Sequence, residues 1–110
     1  MEYALGLIKL KPGSDAKVEE WRRTIASRIE EAAATLQDEE TQVESWFKVQ
    51  IEGHDYLAWY LRAKSIQRVF DVSKQLNHPI DKYHYEIMSA ITAADFLATP
   101  LIDFPRDKVP

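Results

Sequence analysis

The spacing of apolar residues changes its period several times along this chain, and each change marks an element. Tyr3–Lys11 is apolar in both alternating sets, with Tyr3, Leu5 and Leu7 in one and Ala4, Gly6, Ile8 and Leu10 in the other. A short run of that kind, closed by Lys11-Pro12-Gly13, predicts a central strand covered on both faces and followed by a turn. Ser14 then stands at an N-cap position, with Asp15 in the first turn. Val18, Trp21, Ile25, Ile29, Ala32 and Leu36 keep helical spacing, which predicts a single helix over Asp15–Gln37.

Period two returns at Thr41–Ile51, where Val43, Ser45, Phe47, Val49 and Ile51 alternate with Gln42, Glu44, Trp46, Lys48 and Gln50. After Glu52-Gly53-His54-Asp55 it continues over Tyr56–Ala63, so the two runs read as a hairpin. Loop length sets the faces, because a one-residue slip turns every side chain over. An odd loop, or a bulge at Gly53, groups Phe47, Val49 and Ile51 with Leu57, Trp59 and Leu61. That register is preferred because it separates greasy from amphipathic residues; an even loop gives the opposite grouping. Ser65 caps a further helix with the stripe Ile66, Val69, Phe70, Ser73 and Leu76, ended by Asn77-His78-Pro79. Ile80–Ile91 fits both periods and is read as a helix on account of Pro79, with Leu97–Phe104 as the last strand. Residues 1–105 are expected to make one domain and Arg106–Pro110 a loose tail.

The order β-α-β-β-α-(α)-β predicts an α+β, ferredoxin-like fold: a four-stranded antiparallel sheet with its helices on one face. The other face is then bare, and in the preferred register it carries Trp46 and Tyr60. A bare aromatic face calls for a partner, and two such sheets packed about a two-fold axis would enclose a small barrel. A homodimer is therefore expected.

Composition narrows the function classes. With 45% hydrophobic and 29% charged residues the chain is not disordered. It has no cysteine, hence no disulfide, thiolate nucleophile or sulfur-ligated metal. A net charge of -4 opposes sequence-independent nucleic-acid binding. No secretory leader or membrane-length apolar run is read, so a cytoplasmic protein is expected. Three scattered glycines make no phosphate loop.

The segments "LIKLKPGS", "ESWFKVQIEGHDYLAWYLRA" and "HPIDKYH" resemble small bacterial proteins of unknown function with the dimeric α+β barrel fold. The resemblance runs from Tyr3 to Phe104. It implies the ferredoxin-like dimer and leaves the chemistry open. Other branches of that superfamily include quinone-forming monooxygenases, haem-degrading enzymes and a sugar mutarotase, and no stretch of this chain matches their catalytic motifs.

Two constellations carry candidate chemistry. Asp81 and His84 are i,i+3 neighbours on a helix starting near Pro79, where the carboxylate would orient and charge the imidazole for acid–base work. The bland alternative is a local cap at Asp81 and a surface or interface histidine. His78 joins them as a ligand contact. His78 and His84 lie six residues apart, about 600° around a helix, so no metal site is read. Glu44, Trp46, Tyr60 and Arg62 would supply a stacking wall, polar tips and opposite charges for a ligand in the barrel, or else a filled interface. The expected function is a homodimer binding a small polar or aromatic metabolite, isomerase- or oxygenase-like, with no cofactor. The alternative is a non-catalytic interaction module whose barrel is filled by side chains, and an unoccupied, polar-lined space near Trp46 and Tyr60 of about 300 Å³ or more would favour the ligand.

Overall fold

In the computed structural model, which describes residues 1–106, the elements run β1 (Glu2–Leu10), α1 (Asp15–Ser27), α2 (Ile29–Glu39), β2 (Thr41–Ile51), β3 (His54–Ala63), α3 (Ile66–Ser73), α4 (Pro79–Ile91) and β4 (Thr92–Leu97). The sheet order is β2-β3-β1-β4, antiparallel at every pairing, and the fold is ferredoxin-like. The tail expected over 106–110 lies, apart from Arg106, outside the described residues. β1 is central, as its two apolar faces require. Its even positions Ala4, Ile8 and Leu10 are buried beneath the helices with Leu57, Leu61, Val69, Ile80, Ile87 and Ile91.

Four expectations are corrected. The first concerns the hairpin, which closes on two residues, Glu52 and Gly53, both in the left-handed region at φ 50° and 79°. Such a turn matches the twist of paired strands. The loop is even, so Trp46 faces Trp59 and Glu44 faces Leu61, while Phe47 lies across from Ala58 and Ser45 across from Tyr60. The preferred odd register is therefore wrong. Trp46 lies beneath the helices, and the open face carries Val43, Phe47 and Ile51 with Tyr60 and Arg62. The β2–β3 irregularity sits at the other end, between Thr41 and Val43.

Second, the long helix is two. Arg28 leaves the helical region at φ −120°, ψ 35°, and the stripe residue Ile29 at the break is 59% exposed. No glycine or proline marks this point. α1 lies against α4 while α2 turns towards β2, α3 and α4, so packing sets the break. Third, the last strand comes straight out of α4. Thr92 adopts extended backbone while its Oγ1 donates to the Met88 carbonyl at 2.6 Å, and residues 92–97 pair with the free edge of β1. Leu97–Phe104 is mostly an extended arm beyond it. Fourth, Ser14 is no side-chain cap. Its Oγ donates to the Lys11 carbonyl at 2.6 Å and closes the turn instead. Ser65 does cap α3, accepting from the Arg68 N–H at 3.3 Å.

Candidate functional site

Between the sheet and the four helices lies an open cavity of about 1250 Å³. Its floor is the helix-facing side of β1, β2 and β3, including Ile8, Trp46, Leu57 and Trp59, and α1, α2 and α4 bring Trp21, Glu39, Asp81 and His84 to its walls. Trp21, Trp46 and His84 form one aromatic cluster. The indoles of Trp21 and Trp46 meet edge to face at 5.1 Å, and the His84 ring is 5.4 Å from Trp46.

The Trp21 indole Nε1 donates to His84 Nδ1 at 3.0 Å. An indole N–H only donates, so Nδ1 must be the unprotonated nitrogen and neutral His84 carries its hydrogen on Nε2. Burial pushes the imidazole below its ordinary value of 6.5, only partly opposed by the negative charge of Asp81. His84 is therefore neutral at pH 7. Glu44 Oε2 accepts from the Trp46 Nε1 at 2.8 Å. Solvent reaches Glu44 through the mouth of the cavity, yet the surrounding wall strips enough water to raise its carboxyl, assisted by Asp81 and opposed by the Trp46 hydrogen bond.

Glu39, the last residue of α2, is 7% exposed, and its Oε1 has no hydrogen-bond partner among the described residues. Desolvation first, then the charges of Glu44, Asp81 and Asp38, raise its carboxyl from 4.5 to about 7. The pattern of residues did not single it out, because Asp38-Glu39-Glu40 reads as a solvated acidic run. Trp21 stands in the sequence only as a member of an apolar stripe, and such a stripe does not reveal where an indole N–H points. No group of three or more His, Cys, Asp or Glu side chains able to hold a metal ion occurs among the described residues.

The remaining predicted residues separate. Asp81 Oδ2 accepts from the His78 backbone N–H at 3.1 Å, capping α4 behind Pro79, so the orienting partner of His84 is Trp21 rather than Asp81. His78 Nε2 pairs with Asp38 Oδ2 at 2.6 Å, which raises its imidazole and ties α4 to the end of α2. Tyr60 and Arg62 lie on the opposite face of the sheet from Glu44 and Trp46. There Arg62 donates to Tyr60 Oη at 2.9 Å and grips Asp103 of the C-terminal arm through two bonds of 3.0 and 2.7 Å. The predicted four-residue wall is thus divided, and its first half joins His84 and Asp81.

Comparison with solved structures supports the fold. A dimeric ferredoxin-like protein from an uncultured marine organism aligns at TM-score 0.64 and 10% identity, covering 96% of this chain and 100% of its own. An L-rhamnose mutarotase from Formosa agariphila aligns at 0.61 and 14%, with coverage of 96% and 100%. SnoaB, a cofactor-independent oxygenase from Streptomyces nogalater, aligns at 0.56 and 12%, covering 94% and 95%. Identities this low carry the architecture and no chemistry. No curated protein matches the chain. Family membership is nevertheless plain: a family model covers residues 1–108, and the chain belongs to that family of unknown function, DUF6176.

Proposed function

We propose that the cavity between sheet and helices binds a small polar or aromatic metabolite and moves a proton on it, in an isomerase-like reaction. The observation that carries this reading is the His84 imidazole, held in one tautomer by Trp21 in the wall of a cavity of ligand size. A half-buried neutral imidazole, its Nε2–H without a partner among the described residues, is a hydrogen-bond donor to a substrate oxygen, while a carboxyl near pH 7 such as Glu39 takes and returns a proton at little cost. Trp21 and Trp46 supply flat apolar walls, and Glu44 and Asp81 accept hydrogen bonds. Its volume, well above about 300 Å³, is ample for a ligand, but it lies within one protomer beside Trp46 and not at the barrel wall of Tyr60. An oxygenase-like reaction would use the same aromatic walls; an imidazole and a raised carboxyl in one cavity favour proton transfer.

A second copy of the chain completes the proposal. The sheet face away from the helices exposes Leu5, Val43, Phe47, Ile51 and Phe96, and the similar marine protein is described as dimeric. Tyr60 and Arg62 would then belong to the interface between protomers, and each cavity to a single protomer. The site is tested by thermal-shift screening against a metabolite library. A ligand selective for the folded state raises Tm. His84→Ala and Trp46→Ala should each abolish the rise, and a rise that survives both substitutions would place binding elsewhere.

A further inference from the structure

Glu39, Glu44 and Asp81 reach the cavity from the end of α2, from β2 and from the first turn of α4. None of the three takes part in an ion pair among the described residues. Of the cations at the rim, Lys48 is engaged with Asp15 at 3.5 Å and Arg22 with Glu19, while Lys74, just past the end of α3, has no ion pair among the described residues; acidic side chains still outnumber basic ones along the lining. The Glu39 side chain lines the cavity while more than nine-tenths buried, and one of its oxygens has no partner among the described residues. A buried carboxylate without a countercharge is costly. Beside them stand the π faces of Trp21 and Trp46, and aromatic faces attract cations. Among the described residues the carboxylates do not converge as metal ligands do, which turns attention from a bare metal ion to an organic cation.

Resting on the reading of this cavity as a ligand site, we propose that its ligand is an organic cation, such as a protonated amine carried on a small aromatic or aliphatic body. The carboxylates of Glu39, Glu44 and Asp81 face its positive end, and Trp21 and Trp46 pack against its flanks. An anionic metabolite meets like charge and is excluded. A neutral polyol finds hydrogen-bond acceptors but leaves the charge uncompensated.

A matched set of probes tests this on the full chain: phenethylamine, phenethyl alcohol, phenylacetate and a neutral monosaccharide, titrated by tryptophan fluorescence and calorimetry. Phenethylamine should bind about tenfold or more tightly than the alcohol, and phenylacetate should not bind. Glu44→Gln should reduce that preference severalfold. The amine's affinity should also rise between pH 6 and pH 8 as Glu39 loses its proton, and Glu39→Gln should flatten that rise. The groups facing Glu39 are Glu44 of β2, Asp81 of α4 and the adjacent Asp38, which is paired with His78; Arg68 of α3 reaches Glu40 and the Asp38 carbonyl. Equal or tighter binding of the alcohol or the monosaccharide overturns the cation and leaves the cavity as a ligand site. Binding of phenylacetate alone does the same. If none of the four binds, both the cation and the cavity reading fall.

Discussion

Glu39 sits between two solvent-exposed acidic neighbours, and only its place at the turn from α2 into β2 carries it inward. Its folded carboxyl holds a proton up to about pH 7, whereas the unfolded chain releases it near 4.5. Between those values the folded state binds more protons, so this residue makes stability fall as pH rises from 4.5 to 7, by at most roughly 3 kcal/mol. Glu39→Gln removes the dependence. Urea unfolding should find the variant close to the native protein at pH 5 and more stable at pH 8; an equal difference at both pH values would mean that Glu39 is solvated. His84 shows the complementary limit of reading residues one at a time. Its chemistry was suspected from its place near Asp81, but its partner comes from sixty-three residues away on α1.

Among the elements, β1 shows how one position constrains two strands. Gly6 lies across from Trp59, and a Cβ added there would overlap the indole ring directly. An indole is rigid and cannot yield at its tip, so Gly6→Ala must displace Trp59 from its edge-to-face contact with Phe70 at 6.2 Å. The substitution is expected to cost about 1–3 kcal/mol, seen as a lower denaturation midpoint, whereas an unchanged midpoint would show that the ring has room to move. Strand and helix periods are readable wherever apolar residues recur cleanly, as in β2, β3 and α3, while α4 is identified by Pro79 rather than by its period. They failed where the local composition pointed the other way. Thr92–Leu97, with two alanines and one aspartate, has weak strand character and becomes β4 because β1 offers an unpaired edge. The hairpin register failed for another reason: Glu52 is an unusual residue for φ 50°, so the two-residue turn left no strong mark.

On the scale of the whole molecule, helices cover one face of the sheet and leave the other open, with Phe47 57% and Phe96 52% exposed. Beyond β4 an extended arm bearing Leu101, Ile102 and Phe104 is held by the Ala98 N–H to the Leu5 carbonyl at 2.9 Å and by Asp103 on Arg62. Apolar area of that extent is what association removes from water. Sedimentation at micromolar protein should find a dimer, and Phe47→Lys should yield folded monomers. A native chain that sediments as a monomer would remove the dimer while leaving the cavity intact, since every wall of the cavity belongs to one protomer.

The ferredoxin-like class and the existence of an uncovered sheet face follow from apolar periodicity together with local turn signals such as Pro12-Gly13 and Pro79, because period and turn chemistry are properties of consecutive residues. Which side chains occupy each face does not follow, since it turns on the two residues between Ile51 and His54. That turn carried Trp46 and Glu44 under the helices, left Tyr60 and Arg62 outside, and so moved the candidate site from the barrel between two sheets to the space within one. Nor could any local pattern bring Trp21, Glu39, Glu44 and His84 to one cavity. Their meeting depends on the break at Arg28 and on the packing of α1 and α2 against α4, which are decided only when the whole chain closes.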